Sequence, residues 1–244
     1  MSATAAAITK QQDSKRYLWL WGAIVAFLPL IGGGLAWMTG WSIMWFFAPF
    51  FLYGVVPVAD YFVGGDADNP PDDVLEALEA DRYYRWCTYL FIPIQLGVTV
   101  WAAWMVGTGG LSWVALAGLL TSMGILSGVA INTAHELGHK KPEVEGWLSK
   151  LALAPVAYGH FYVEHNKGHH RRVATPEDPA SSRMGESFYE FLPRTMIGSL
   201  TSAWEIEKTR LARKNKSPWT WENENLQAWA MTVVLYSGLT LAFG

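Results

Sequence analysis

Two long stretches of the chain carry no formal charge. No Asp, Glu, Lys or Arg occurs between Arg16 and Asp60, a run of 43 residues, and a second run of 50 residues extends from Trp86 to His135. About 20 apolar residues suffice to cross the hydrocarbon core of a bilayer. Each run therefore has room for two spanning helices and a tight turn. Thr39-Gly40 and Gly107-Thr108-Gly109-Gly110 mark the turns, with glycine where the backbone must reverse. The pattern predicts spans at about 17–38, 42–63, 87–106 and 112–133, and the apolar run 226–244 begins a fifth. A soluble all-α core is the bland alternative, but buried soluble helices rarely go 20 residues without a charge. The expected fold is all-α, a polytopic transmembrane helical bundle. It is read as a single membrane-embedded domain, 1–244, whose polar part is 134–225.

Composition agrees with a membrane setting. Of 244 residues, 51% are hydrophobic and only 16% charged, against about 25% charged in soluble domains. A net charge of −3 offers no overall basic balance for nucleic acid. The single Cys87 excludes an intrachain disulfide framework and a Cys-rich zinc module. Lys10, Lys15 and Arg16 precede the first span, Arg82 and Arg85 precede the third, and the other thirteen cations lie between Lys140 and Lys216. All fall on one side of the predicted bundle, which the positive-inside rule makes cytoplasmic. Trp37, Trp41, Trp101, Trp104 and Trp113 cluster near the outer turns, and Trp19, Trp21 and Trp86 near the inner ends, as interfacial belts do. The N-terminus has no short apolar region with a small-residue cleavage site, so the first span reads as an uncleaved anchor. The acidic loop Gly64–Asp81, with Asn69-Pro70-Pro71-Asp72, predicts a break before a short surface helix.

All six histidines fall within 36 residues: His135, His139, His160, His165, His169 and His170. Residues four apart share a helix face, so His135 and His139 present two imidazoles one turn apart at the inner end of the fourth span. His165 and His169 repeat that spacing. On an α-helix His170 points about 100° further round, towards a second metal. Between the groups, Leu151 to Val163 is 13 residues without formal charge, too short to span; it is expected to be an interfacial or re-entrant segment folding His165 back towards His135. His160, alone within it, reads as a hydrogen-bonded packing residue. Neutral imidazole suits iron, copper, nickel and zinc. His135-Glu136-Leu137-Gly138-His139 is also the H-E-x-x-H pattern of zinc metalloproteases. An intramembrane zinc protease is therefore the rival reading, although five histidines in two sets oversupply one zinc. A non-enzymatic role in metal transport or sensing would favour polar residues within the spans, and the two uncharged hairpins offer none with charge.

His-Glu-Leu-Gly-His-Lys at 135–140, Glu-His-Asn-Lys-Gly-His-His at 164–170, and the run Ala174-Thr175-Pro176-Glu177-Asp178-Pro179-Ala180-Ser181-Ser182-Arg183-Met184-Gly185-Glu186-Ser187 resemble the integral-membrane alkane 1-monooxygenase family. That family is kin to the membrane fatty-acid desaturases and hydroxylases. The resemblance implies two iron ions (Fe2+/Fe3+) held by His135, His139, His165, His169 and His170, with His160 at a position not counted among the ligands. It implies terminal hydroxylation of n-alkanes to primary alcohols with O2, and electrons from rubredoxin and its NAD(P)H-dependent reductase. It also implies a bacterial inner membrane, with the histidines facing the cytoplasm. Family members have a sixth span, a third histidine box and a further ligand histidine, all C-terminal to the second box. This chain is accordingly expected to be the N-terminal part of a longer protein.

That chemistry fits the architecture. An alkane C–H bond offers no polar handle for acid–base or nucleophilic attack, so activation of O2 at a metal in a dry cavity is required. Substrate is expected to enter from the bilayer. No flavin, nicotinamide or Cys-rich iron motif is present, so electrons must arrive from outside. Lys140-Lys141, Arg171-Arg172 and Arg213-Lys214-Lys216 are candidate docking points for an acidic redox protein, or simply inner-face anchors. Asp60, Glu136, Glu164, Glu177 and Asp178 are candidates for orienting a ligand histidine through its second ring nitrogen.

Overall fold

The computed structural model describes residues 15–65, 78, 80–140 and 142–244. The predicted break at Asn69-Pro70-Pro71-Asp72, and the cations Lys10 and Lys141, lie outside the described residues. Regular structure among the described residues is helical throughout, without strands. Among the described residues five helices are long and apolar enough to cross a membrane: α1 (Arg16–Thr39), α2 (Ser42–Val63), α3 (Arg82–Gly107), α4 (Trp113–Gly138) and α8 (Glu224–Phe243). The chain is thus the all-α, multi-pass bundle that its charge gaps predict. Between α4 and α8 lie α5 (Glu143–Leu153), α6 (161–172) and α7 (Phe188–Ala212). Two compact units are present, residues 1–129 with Phe243 and residues 130–242 with Gly244.

In the first unit, helices α1 to α3 and the start of α4 pack through small residues. Gly40, at φ 74, closes the α1–α2 turn in the left-handed region open to glycine. Ala36, Trp45, Ala102, Ala115 and Leu119 form a core cluster, and Trp45 stacks on Trp101 at 5.8 Å. Lipid tails are as apolar as leucine, so close van der Waals fit must hold such helices together. Gly118 supplies that fit: a Cβ there would lie 2.6 Å from the Trp45 Cβ. Four residues on, the buried Ser122 hydroxyl donates to the Trp45 carbonyl at 2.7 Å. Helix α3 continues beyond its apolar stretch because Asp81 caps it, accepting from the Tyr83 N–H at 2.9 Å.

The second unit is held differently, by buried polar groups. The uncharged segment 151–163 ends α5 and turns through a 3-10 step at Ala154–Val156 and Ala157, whose φ is 55. Helix α8 secures this reversal, with the Thr232 hydroxyl donating to the Ala154 carbonyl and the Tyr236 hydroxyl to the Pro155 carbonyl. Ser149 donates to the Ala134 carbonyl at 2.7 Å, fastening α5 to the end of α4. On α7, the fully buried Glu207 accepts two hydrogen bonds from Arg210 (2.7 and 2.6 Å) and one from the Glu224 N–H at 2.8 Å. The buried Lys150 ammonium donates to Gln227 at 2.7 Å. Burial alone would raise the Glu207 pKa, but Arg210, the Glu224 N–H and Lys167 outweigh it and hold the carboxyl down to about 2.

Two outcomes follow from this packing. Gly118→Val should lower the stability of the first unit by about 1–3 kcal/mol, as overpacking does, read by thermal unfolding in detergent. A depressed carboxyl stabilises the fold fully above its unfolded pKa and loses that contribution as pH falls through its folded value. The thermal midpoint of the protein should therefore drop between pH about 4.3, the ordinary Glu value, and about 2, the Glu207 value. Glu207→Gln should flatten that part of the curve, and a drop left unaltered by the substitution would count against Glu207 as its source.

Candidate metal centre

Helix α4 continues past its apolar part to Gly138, and this extension carries the first histidine pair. One helical turn sets His135 and His139 side by side, and their Nε2 atoms lie 3.0 Å apart. Gly138 lets α6 approach closely, since a Cβ there would meet the Asn166 amide nitrogen at 2.9 Å.

The second motif does not form a plain α-helix. Residues Glu164–His169 make a π turn, flanked by Phe161–Val163 and His170–Arg172. A π turn bonds i to i+5, so residues five apart come into register. His170 consequently meets His165, with Nε2 atoms 3.0 Å apart, and His165 Nε2 lies 3.2 Å from that of His139. The partition therefore differs from the α-helical expectation, in which His165 pairs with His169 and His170 points elsewhere. Instead His135, His139, His165 and His170 each offer a ligand nitrogen, all within 4.8 Å of one another.

His169 stands beside this group. Its ring stacks on His165 at 5.5 Å, and its Nδ1 lies 2.8 Å from Asp178 Oδ2. Asp178 is buried and also accepts from the Ser181 hydroxyl at 2.6 Å and the Ala180 N–H at 3.0 Å. Burial works to raise its pKa, but these hydrogen bonds and His169 prevail and hold the carboxyl ionised below its ordinary range. Arg194 of α7 clamps the loop that carries Asp178, donating to Glu186 (2.5 and 2.6 Å) and to the carbonyls of Pro179 (3.1 Å) and Ser181 (2.9 Å).

The other acids fall in different places. Exposed Glu136 places Oε1 3.2 Å from His135 Nδ1. Glu164 is buried against Gly168 and pairs with Arg172 at 2.8 Å, while Arg172 also reaches Ser202 of α7 at 2.6 Å. Burial raises the Glu164 pKa, against the pull of Ser202 and Arg172. Glu177 is exposed on the loop, and Asp60 is exposed on α2, in the other unit. His160 is buried edge-on to Tyr158 at 4.5 Å. Its Nε2 finds no hydrogen-bond partner among the described residues, contrary to the hydrogen-bonded packing role expected of it, and burial drives its pKa down to about 4. Phe161, stacked on His165 at 4.9 Å, and Ser181 are site neighbours that sequence spacing did not reveal.

The donor set suits a metal ion. Four neutral imidazoles would turn lone pairs towards one another unless a cation or shared protons intervened. Burial and then the neighbouring rings push His165 down to about 4, and the same causes lower His139. Both rings thus stay neutral at neutral pH, as metal ligation requires. Metal–nitrogen bonds of about 2.0–2.1 Å place adjacent ligands about 2.9–3.4 Å apart in octahedral or tetrahedral geometry. The nitrogen–nitrogen contacts of 3.0 to 3.2 Å fall in that range.

Known proteins share this chain's sequence extensively. Alkane 1-monooxygenase of Pseudomonas putida is 47% identical over 232 residues, 95% of this chain and 58% of that protein. Alkane 1-monooxygenase 1 of Alcanivorax borkumensis is 48% identical over 95% of this chain and 57% of its own length. The xylene/toluene monooxygenase hydroxylase component XylM of Pseudomonas putida is 31% identical over 60% of this chain and 41% of its own. This chain thus spans a little over half the length of the curated alkane monooxygenases it matches. Residues 111–244, which include every histidine, match the family model described as fatty acid desaturase. By that match over more than half its length, the chain belongs to the fatty acid desaturase family.

Proposed function

We propose that this chain forms the first two histidine motifs of a membrane alkane 1-monooxygenase, which hydroxylates the terminal methyl of n-alkanes to primary alcohols with O2. The observation that carries the reading is the convergence of four imidazole Nε2 atoms from two motifs, in a sequence 47% identical to an alkane 1-monooxygenase. The ligands are His135, His139, His165 and His170, with His169 as a fifth facing a second ion. The ions are iron, which when bound supplies the O2 activation that an unactivated C–H bond demands.

The protein's own groups hold this donor set ready. Asp178 fixes His169 by its Nδ1, leaving Nε2 as the ligating nitrogen, and Glu136 does the same for His135. Glu164 acts on the backbone rather than on a ring, because its partners are Arg172 and, through it, Ser202 of α7. Electrons come from rubredoxin and its NAD(P)H-dependent reductase. Arg171 and Arg213 lie exposed along a groove of about 850 Å³ on the second unit, a basic surface suited to an acidic donor. The membrane is the bacterial inner membrane, with the histidines on the cytoplasmic face.

The zinc-protease reading is disfavoured by Glu136. As a general base it would have to face the ligating nitrogens, whereas it meets His135 on the Nδ1 side of the ring, away from the Nε2 cluster.

Membranes holding the complete protein, given n-octane, O2, NADH, reductase and rubredoxin, should form 1-octanol. His139→Ala or His169→Ala should abolish that product and lower bound iron, and full activity in either variant would defeat the assignment. Asp178→Asn should cost about 10–100-fold in activity or iron affinity, the usual effect of removing a ligand's hydrogen-bond partner. Glu136→Ala separates the two readings: the protease predicts complete loss of turnover with zinc bound, and the oxygenase predicts a partial loss with iron bound.

A further inference from the structure

Besides Glu164, which pairs with Arg172, the second histidine motif contains a further charged side chain that the histidine group does not use. Lys167 sits two residues from His165 and three from His170. Its ammonium lies between two carboxylates of other helices, at 3.2 Å from Oε1 of the buried Glu207 on α7 and in close contact with Oε2 of Glu224, the first residue of α8. Both partners are fixed in turn. Glu207 is gripped by Arg210 and accepts from the Glu224 N–H, so the two acids are joined to one another as well as to the lysine. Lys150 of α5 approaches Glu224 from another side, at 3.7 Å.

A π turn needs such restraint. Its i→i+5 bonding is rare, and such turns appear mostly as single insertions within α-helices, often at functional sites. Here it decides which histidine joins the group, since His170 reaches His165 only because residues five apart are in register. Elsewhere in the turn, Asn166 donates back to the Tyr162 carbonyl at 2.8 Å, and Arg172 ties Glu164, its first residue, to Ser202. Lys167 is the side chain that fastens its middle to α7 and α8.

We propose that Lys167 is a positioning residue of the metal centre: the Glu207–Lys167–Glu224 bridge holds the turn of α6 in the register that presents His165 and His170 to one ion. The proposal rests on the reading of the imidazoles as metal ligands, and two measurements keep the ideas separable. The first is a Co2+ titration of the detergent-solubilised protein, reading affinity and the visible ligand-field bands. The second is hydrogen–deuterium exchange across 164–172 in protein stripped of metal by chelator. Lys167→Met should weaken Co2+ binding by about 10-fold or more, the low end of the loss seen when groups supporting a ligand are removed. It should also alter the bands and speed exchange across 164–172, and Lys167→Arg should restore all three. Wild-type affinity, bands and exchange in Lys167→Met would overturn the proposal. Should that variant not fold, Glu224→Gln, which leaves the Glu207–Arg210 pair in place, is read by the same criteria. A wild-type protein that fails to bind Co2+ would sink the metal reading and this proposal together, whereas normal wild-type binding with an unaffected Lys167→Met sinks the proposal alone.

Discussion

Four imidazole nitrogens within 4.8 Å of one another are the constraint around which the second unit is organised. Neutral rings in that arrangement oppose lone pairs, and burial makes protonation of His165 and His139 costly, so the cluster does not hold itself together. His165 shows both pressures, lowered to about 4 by burial and by the rings around it. The surroundings must supply the order. They do so through the capped and clamped loop around Asp178, the Glu164–Arg172–Ser202 chain, and the charged group centred on Glu207. Such an interior is polar because its task is orientation, and the buried Lys150, Glu164, Asp178 and Glu207 each meet an opposite charge or a hydrogen-bonding group.

The first unit follows a different logic. Its helices meet through glycine, alanine and stacked tryptophan, with few polar contacts such as that of Ser122. Many of its large apolar side chains, Trp37, Trp113 and Phe62 among them, remain exposed on the protein itself. In water such surface would be a liability; on helices of this length and hydropathy it is the face that lipid covers.

Much of this was legible in the chain. Two charge-free runs of 43 and 50 residues announce paired spans because an unpaired charge is expensive in hydrocarbon. The clustering of every histidine in one window pointed to the candidate site, and the i, i+4 pair His135 and His139 met as α-helical spacing requires. The second motif was misleading in detail. Its spacing is compatible with an α-helix, and the π turn that replaces it depends on Glu164 lying against Gly168 and on anchors from α7 and α8. Those anchors are 30 to 57 residues away in sequence, and periodicity within a short window cannot report them. Asp178 was a candidate among five acids of similar standing, and what distinguishes it is burial and three donors, which only the fold provides.

The π turn of α6 also bears on how adjacent histidines divide their work. His169 and His170 are neighbours in sequence, yet one leans on a buried carboxylate and the other joins the imidazole group. An α-helix and a π turn differ by a single residue in hydrogen-bond reach. Relaxation of this turn to ordinary helix would bring His169, rather than His170, into line with His165. Backbone register at this point is therefore a selector between two adjacent side chains, and an insertion of one residue between His165 and His169 would put His169 in the place of His170 without altering any histidine.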